Sequence, residues 1–315
     1  MTIAFEHAMA AMGTVVSVQL VGGTPDARAA RARDALQWVA TVEATCSRFE
    51  PHSELRRLSA TVDRDVAVSP LLFNALHVAL QVAEESHGAF DPTVGAEMQA
   101  RGFDRLWDSG ESSAAHIPNK GAGATWRDVV LDHDAQSVRL LQPMLLDLGA
   151  IAKGLAVDLV ARALADCEHY AVEAGGDLYV AGCNANGKPW RVAVQHPRQP
   201  DAWIASLPLR DLAMCTSGDY ARRTDDGTQG HLIDPRARGG EIGPMHAGVA
   251  PLSSTVIAKQ AMIADALATA VMVLGVDEGL QLLDAHGVDG IIVDQQLQLT
   301  TTRGMSQFDL TMWHA

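Results

Sequence analysis

Between residues 14 and 21 the chain alternates: Val16, Val18 and Leu20 fall on one side, Ser17 and Gln19 on the other. A period of two predicts a half-buried strand. After the turn residues Gly22-Gly23-Thr24-Pro25-Asp26 the period lengthens. Residues 26–47 are rich in Ala and Arg, with apolar positions at helical spacing, and predict a long helix. A short helix is expected over 53–59 and a longer one over 70–87, with Pro70 at its first position and Gly88 just past its end. Phe90-Asp91-Pro92-Thr93 opens a loop and then a helix. Residues 108–123, full of Ser, Gly and Ala, read as a surface loop. Runs at 129–131 and 138–141 flank Asp132-His133-Asp134 as a hairpin, and 147–165 is a loop leading into a helix. Strands follow near 170, 178–181, 190–195, 204–209 and 213–216. The pattern ends with helices at 261–274 and 276–285 and a strand at 290–293. Strands and helices come in mixed runs rather than strict alternation. The expected class is therefore α+β, with mixed or antiparallel sheets and packed helices, rather than a doubly wound parallel sheet. Residues 1–315 are read as one large domain with room for two lobes, without an internal repeat.

Composition narrows the function. A formal net charge of -14 argues against a nucleic-acid partner, which needs clustered Lys and Arg. It also means that an anionic substrate would need a metal or a local set of donors. The four cysteines, Cys46, Cys167, Cys183 and Cys215, are too scattered for a metal pair and are expected as largely buried thiols rather than a disulfide framework. No stretch approaches the roughly 18 apolar residues of a membrane span. The opening residues lack the basic and apolar regions of a secretory signal, so the chain as given reads as cytoplasmic; a form trimmed of its signal would read the same.

Several short constellations carry candidate chemistry. Asp265 and Thr269 lie four residues apart on a predicted helix and so share a face. A carboxylate and a hydroxyl there offer two hard oxygen ligands suited to Mg²⁺. Alone, the same spacing also describes a helix-start Asp with a core Thr. Asp147-Leu-Gly-Ala-Ile-Ala-Lys-Gly154, followed by Asp158, places a glycine-containing turn and Lys153 at a helix N-terminus, a setting that suits a phosphate. Its plain alternative is an ordinary helix entry. His231, in His231-Leu-Ile-Asp-Pro235, is a candidate acid or base. Phe90 offers a ring for stacking and Asp91 an acceptor, although their segment equally makes a capping turn. Cys215-Thr-Ser-Gly-Asp-Tyr220 is a turn that could cradle a phosphate or merely close a loop, and Glu173-Ala-Gly-Gly-Asp177 is also glycine-rich. Neither is a dinucleotide fingerprint, and Ser217 lacks the nucleophile elbow of a hydrolase. Asp132-His133-Asp134 is read as a turn rather than a metal cluster.

Taken in order, these pieces resemble the ApbE family of FAD:protein FMN transferases. The matching residues are Met12-Gly13-Thr14, Ser47-Arg48-Phe49 with Ser53-Glu54-Leu55, and Phe90-Asp91-Pro92-Thr93. The match continues through 147–154 with Asp158, Gly175-Gly176-Asp177, 216–220, 231–235 and 264–269, so that it spans roughly residues 9–275. The resemblance implies an ApbE-like α+β fold and Mg²⁺-dependent transfer of FMN from FAD to a Thr or Ser hydroxyl of an acceptor flavoprotein, with release of AMP. It implies Asp265, Thr269 and the backbone carbonyl of Ala150 as metal ligands, with Asp265 also counted as catalytic. Met12, Phe49, Ala89, Phe90, Asp91, Asp147 and Lys153 match FAD-contacting positions. His231 matches a motif histidine near the flavin phosphate, with a catalytic role as proton acceptor. Ala150 stands where many members carry Gly, and Phe49 where Tyr is common. Many members are exported lipoproteins, whereas this chain opens without such a leader. The same residues also suit an FAD pyrophosphatase, with water as the acceptor, or a carrier that binds FAD without turnover.

Overall fold

The computed structural model describes residues 4–106, 110–113, 123–220, 230–237 and 251–313. Strand β1 (Ala4–Ala11) turns at Met12-Gly13 into β2 (Thr14–Val21). Then come α1 (Pro25–Cys46), α2 (Glu54–Ser59), β3 (Val66–Ala67), α3 (Pro70–Glu85), α4 (Gly95–Ala100) and the hairpin β4 (Val129–Asp132) and β5 (Ser137–Leu140). Helix α5 (Ala152–Ala163) leads to β6 (Tyr170–Ala174), β7 (Asp177–Ala181), β8 (Trp190–Gln195), β9 (Trp203–Leu209) and β10 (Leu212–Gly218). The last part holds β11 (Ser253–Ala258), α6 (Ala261–Leu274), α7 (Val276–His286), β12 (Asp289–Val293), β13 (Leu299–Thr301) and β14 (Thr311–Met312).

Eight strands form one antiparallel sheet in the order β1-β2-β6-β7-β10-β11-β12-β13. Because successive strand residues face opposite sides, this sheet feeds two cores. From one face Val16, Val18, Val172, Cys215, Val256 and Ile292 pack among helices. From the other, Met214, Ile257, Ile291 and Val293 pack against Val194, Ile204 and Leu207 of the three-stranded sheet β14-β9-β8. A second three-stranded sheet, β3-β5-β4, stands apart. The class is α+β, as the pattern predicted.

Local chemistry explains the helix boundaries. Ser53 and Ser69 accept from the N–H groups of Arg56 and Leu72 at 3.1 and 3.2 Å, capping α2 and α3, and Pro70 occupies the first turn of α3. Helix α6 is apolar on nearly every side, because it is wedged against α5, α7, β10 and β11. That placement makes its one carboxylate, Asp265, conspicuous.

Five strands were not expected: β1, β3, β11, β13 and β14. Strand β11 begins Ser253-Ser254-Thr255, yet all six of its residues are buried at the centre of the sheet. Strand β1 is the edge partner of β2. The Asp132-His133-Asp134 segment is a hairpin turn, in which Oδ1 of Asp132 accepts from the N–H groups of Asp134 and Ala135 at 3.0 and 2.9 Å. All four cysteines are free; Cys46 and Cys215 are buried, and Cys167 and Cys183 are half-buried. Among the described residues no helix is long and apolar enough to cross a membrane. Of the loop expected at 108–123, residues 108–109 and 114–122 lie outside the described residues; Ser112 within it pairs with Arg105 in an antiparallel bridge.

Candidate active site

The turn before α5 is built by Asp147. Its Oδ1 accepts from the N–H of Gly149 at 2.7 Å, and its Oδ2 accepts from Nε of Arg48 at 2.8 Å. The Asp147 N–H donates to the carbonyl of Pro92 at 2.7 Å. This one residue therefore ties the end of α1, the Phe90–Thr93 segment and the start of α5 together. Gly154 then brings α5 against α6. Its N–H donates to Oδ2 of Asp265 at 3.1 Å, and a Cβ there would lie 2.7 Å from Cα of Met262. Only a glycine allows that approach.

A buried charge cluster sits where the two helices meet. The Lys153 ammonium donates to Oδ2 of Asp177, the first residue of β7, and lies 3.7 Å from Oδ2 of Asp265. Asp177 is fully buried and Asp265 is 2% exposed. Burial works against the lysine's charge, but Asp177 and Asp265 outweigh it and hold its pKa above the ordinary value. Burial, reinforced by the like charge of Asp265, pushes the Asp177 carboxyl up, with Lys153 opposing. Two carboxylates facing one ammonium leave a negative charge uncompensated in a buried place, which is costly without a further cation. Among the described residues no N–H or O–H donates to the buried Oδ1 of Asp177.

Hydroxyls continue the site along α6 and the sheet. The hydroxyls of Thr269 and Ser217 lie 3.0 Å apart, and those of Thr216 and Thr255, paired across β10 and β11, lie 2.9 Å apart. The Cys215 thiol donates to the Ala261 carbonyl at 3.3 Å, and burial pushes that thiol's pKa far up. Cys215 is thus a packing residue rather than a nucleophile.

The remaining expected residues fall into two sets. Phe49, Asp147 and His231 are linked through Arg48 and Phe103. The Arg48 guanidinium stacks on the Phe49 ring at 4.2 Å and donates to the Phe103 carbonyl at 2.7 Å, and the Phe103 ring meets His231 edge-on at 6.5 Å. Ala89, Phe90 and Asp91 instead form a buried turn. Phe90 is 3% exposed, and the Asp91 carboxylate accepts from the N–H and hydroxyl of Thr93 and from the N–H of Trp126. Met12 sits in the β1–β2 turn with φ of 52°, and its N–H donates to Glu43 at 3.0 Å. Beside it Thr14 packs on Gly175, whose φ of 59° and close contact both require glycine. Surface clefts of about 400 and 610 Å³ lie along α3 and between α3 and α7; none of the expected site residues lines them, although Trp126, which bonds Asp91, lines the first and Ser86, which bonds Phe90, the second.

A family model described as the ApbE family matches residues 12–292. The chain belongs to the ApbE family. It is 28% identical to the FAD:protein FMN transferase of Haemophilus influenzae, with 85% of this chain and 79% of that protein aligned. The FAD:protein FMN transferase of Treponema pallidum is 30% identical, with 96% and 87% aligned. The crystal structure of the ApbE protein from Thermotoga maritima superposes with a TM-score of 0.82 at 28% identity, over 98% of this chain and 99% of that one. The ApbE fold expected from the motifs is therefore the fold observed.

Within that ApbE fold, Arg48, Asp158 and Asp177 stand in the matching motifs with roles that only the structure assigns. Arg48 joins Phe49 to Asp147, Asp177 holds Lys153, and Asp158 accepts from the first N–H groups of α6. A charged residue in an otherwise small or apolar motif was the available signal, since such residues are rarely buried unless paired. Ser217 of β10, whose hydroxyl meets that of Thr269 on α6, stood in the 216–220 motif without a role.

Proposed function

We propose that this chain transfers FMN from FAD to a Thr or Ser hydroxyl of an acceptor flavoprotein and releases AMP, with Mg²⁺ as cofactor. The observation that carries the reading is the buried cluster of Asp265, Asp177 and Lys153, with its uncompensated negative charge and an Asp177 oxygen to which no N–H or O–H of the described residues donates. The names of the Haemophilus and Treponema relatives supply the substrate pair.

The residues present fit a hard divalent cation, which prefers oxygen donors. Asp265, the Thr269 hydroxyl and the Ala150 carbonyl would hold it. Among the described residues no N–H or O–H donates to the Ala150 carbonyl, while the Gly154 amide four residues on is engaged with Asp265. When bound, Mg²⁺ neutralises charge on pyrophosphate oxygens. Everything else falls to the protein. Phosphoryl transfer is mainly positioning and electrostatics. Lys153, beside the N-terminus of α5, adds positive charge where an anionic ligand would approach. Arg48 holds Asp147 and Phe49 in place to contact FAD beside Met12, while the buried turn Ala89-Phe90-Asp91 supports them through the Pro92 carbonyl that Asp147 bonds. His231 accepts the proton of the acceptor hydroxyl. The hydroxyl oxygen forms a bond to the FMN phosphorus, the bond from that phosphorus to the bridging oxygen breaks, and AMP departs with the electron pair.

The test is incubation of the purified protein with FAD, Mg²⁺ and a flavinylation-type acceptor domain, read by in-gel flavin fluorescence and an FMN mass shift. A covalent adduct that disappears with Asp265→Ala supports the transferase. AMP and free FMN without adduct would make it an FAD pyrophosphatase, and tight FAD binding without turnover would make it a carrier. His231→Ala should abolish adduct formation across pH; retained transfer would remove His231 from the mechanism.

A further inference from the structure

Helix α6 begins without a cap of its own, because Gln260 makes no side-chain bond to its first turn. The N–H groups at a helix start need acceptors. Here they are supplied by a residue 103 positions earlier in sequence. Oδ1 of Asp158 accepts from the N–H of Ala261 at 2.7 Å, and Oδ2 accepts from the N–H of Met262 at 3.0 Å. Asp158 lies on α5, four residues after Gly154 and so on the same face. Gly154 makes the reverse contact, donating its N–H to the Asp265 carboxylate. The two helices therefore exchange bonds at two levels, one turn apart. A side chain of α5 grips the backbone of α6, and the backbone of α5 grips a side chain of α6. A bidentate carboxylate on two successive amides fixes both the depth and the roll of a helix end, where one bond would fix neither.

We propose that Asp158 is a positioning residue, a cap supplied by a neighbouring helix that sets α6 so that Asp265 and Thr269 can hold the divalent cation. The inference rests on the reading of Asp265 and Thr269 as cation ligands. The geometry separates Asp158 from those ligands themselves: both its oxygens bond α6 backbone, and among the described residues it makes no hydrogen bond to either side chain. Residues that orient metal ligands typically carry a 10- to 100-fold share of metal affinity.

The test counts bound Mn²⁺ by its electron paramagnetic resonance signal, with ADP present as a pyrophosphate probe, in the wild type, Asp158→Asn, Asp158→Glu and Asp265→Asn. Asparagine keeps one acceptor oxygen but turns an amide donor toward the Met262 N–H. Asp158→Asn should weaken Mn²⁺ binding about tenfold or more. Asp158→Glu, which keeps both acceptors on a longer arm, should weaken it less. Amide hydrogen exchange over Ala261–Asp265 should quicken in the same order. Wild-type Mn²⁺ affinity in Asp158→Asn, with only a lowered melting temperature, would reduce Asp158 to a stability cap and overturn the proposal. If Asp158→Asn does not fold, unchanged affinity in Asp158→Glu together with faster exchange overturns it equally. Failure of the underlying reading looks different: Asp265→Asn would then bind Mn²⁺ as the wild type does.

Discussion

Gly154 and Ala261 bring α5 and α6 into backbone contact. A Cβ on Gly154 would lie 2.6 Å from the carbonyl carbon of Ala261, and the Gly154 N–H reaches past it to Asp265. Gly154→Ala must therefore push α6 away from α5. Overpacking of this kind costs about 1–3 kcal/mol, and the displaced helix carries Asp265 with it. Urea unfolding should show the stability loss, and FMN transfer should fall at a Mg²⁺ concentration that saturates the wild type. A Gly154→Ala variant with wild-type stability would mean that the helix contact yields without strain.

The Lys153–Asp177 pair is buried, with side chains 20% and 1% exposed. Removing one partner of such a pair leaves a bare charge, which typically costs about 3–5 kcal/mol. Lys153→Met leaves two buried carboxylates together and should cost that much. Asp177→Ala should cost less, because it removes the surplus negative charge while Asp265 at 3.7 Å still faces the ammonium. The double variant should be more stable than the sum of the two losses implies, since removing both charges removes the burial penalty as well. A double-mutant cycle by urea denaturation measures this; strict additivity would show that the pair does not couple.

Asp158 gives a pH signature with a definite sign. Burial pushes its pKa up to about 6 from an ordinary 3.8, against the hydrogen bonds from Met262 and Ala261 that favour its charged form. Between roughly pH 4 and 6 the folded state then binds more protons at this site than the unfolded chain does. The contribution is fully present below pH 4 and is lost as pH rises through 6, to the extent of about 3 kcal/mol. Asn does not titrate. The stability of the wild type minus that of Asp158→Asn should therefore fall between pH 4 and pH 7. A difference that stays flat or rises across that window would mean that Asp158 is charged and fully compensated throughout.

What the sequence revealed follows from how local each signal is. Strand β2 and helices α1, α3 and α6 announce themselves by period, caps and proline, all readable within a few residues. Strand β11 does not, because Ser253, Ser254 and Thr255 are polar and become buried only where neighbouring strands receive them; Thr255 finds its partner in Thr216. Helix spacing put Asp265 and Thr269 on one face. No spacing could show that Asp177, from a glycine turn, would meet Lys153, or that Asp158 would cap a helix more than a hundred residues away. The Phe90–Thr93 segment shows the opposite limit. Its motif was legible, but Phe90 packs into the core and Asp91 is engaged by Thr93 and Trp126.

Arg48 makes three different contacts at once: Nε to Asp147, Nη2 to the Phe103 carbonyl, and its face to the Phe49 ring. Only a planar guanidinium can satisfy all three, since a lysine ammonium is a point charge that neither forks nor stacks in this way. Arg48→Lys should keep the charge at a side chain that is 3% exposed, yet lose at least one charge-assisted hydrogen bond. Such a bond is worth about 1.5 kcal/mol or more, close to tenfold in an equilibrium constant. If Arg48 acts by holding Asp147 and Phe49 ready for FAD, KM for FAD should rise about tenfold while kcat stays within about threefold, because uniform binding is what is lost. Steady-state AMP release at saturating Mg²⁺ measures both. A fall in kcat with KM unchanged would place Arg48 in the transition state instead, acting on the reacting phosphoryl group rather than on the walls of the site.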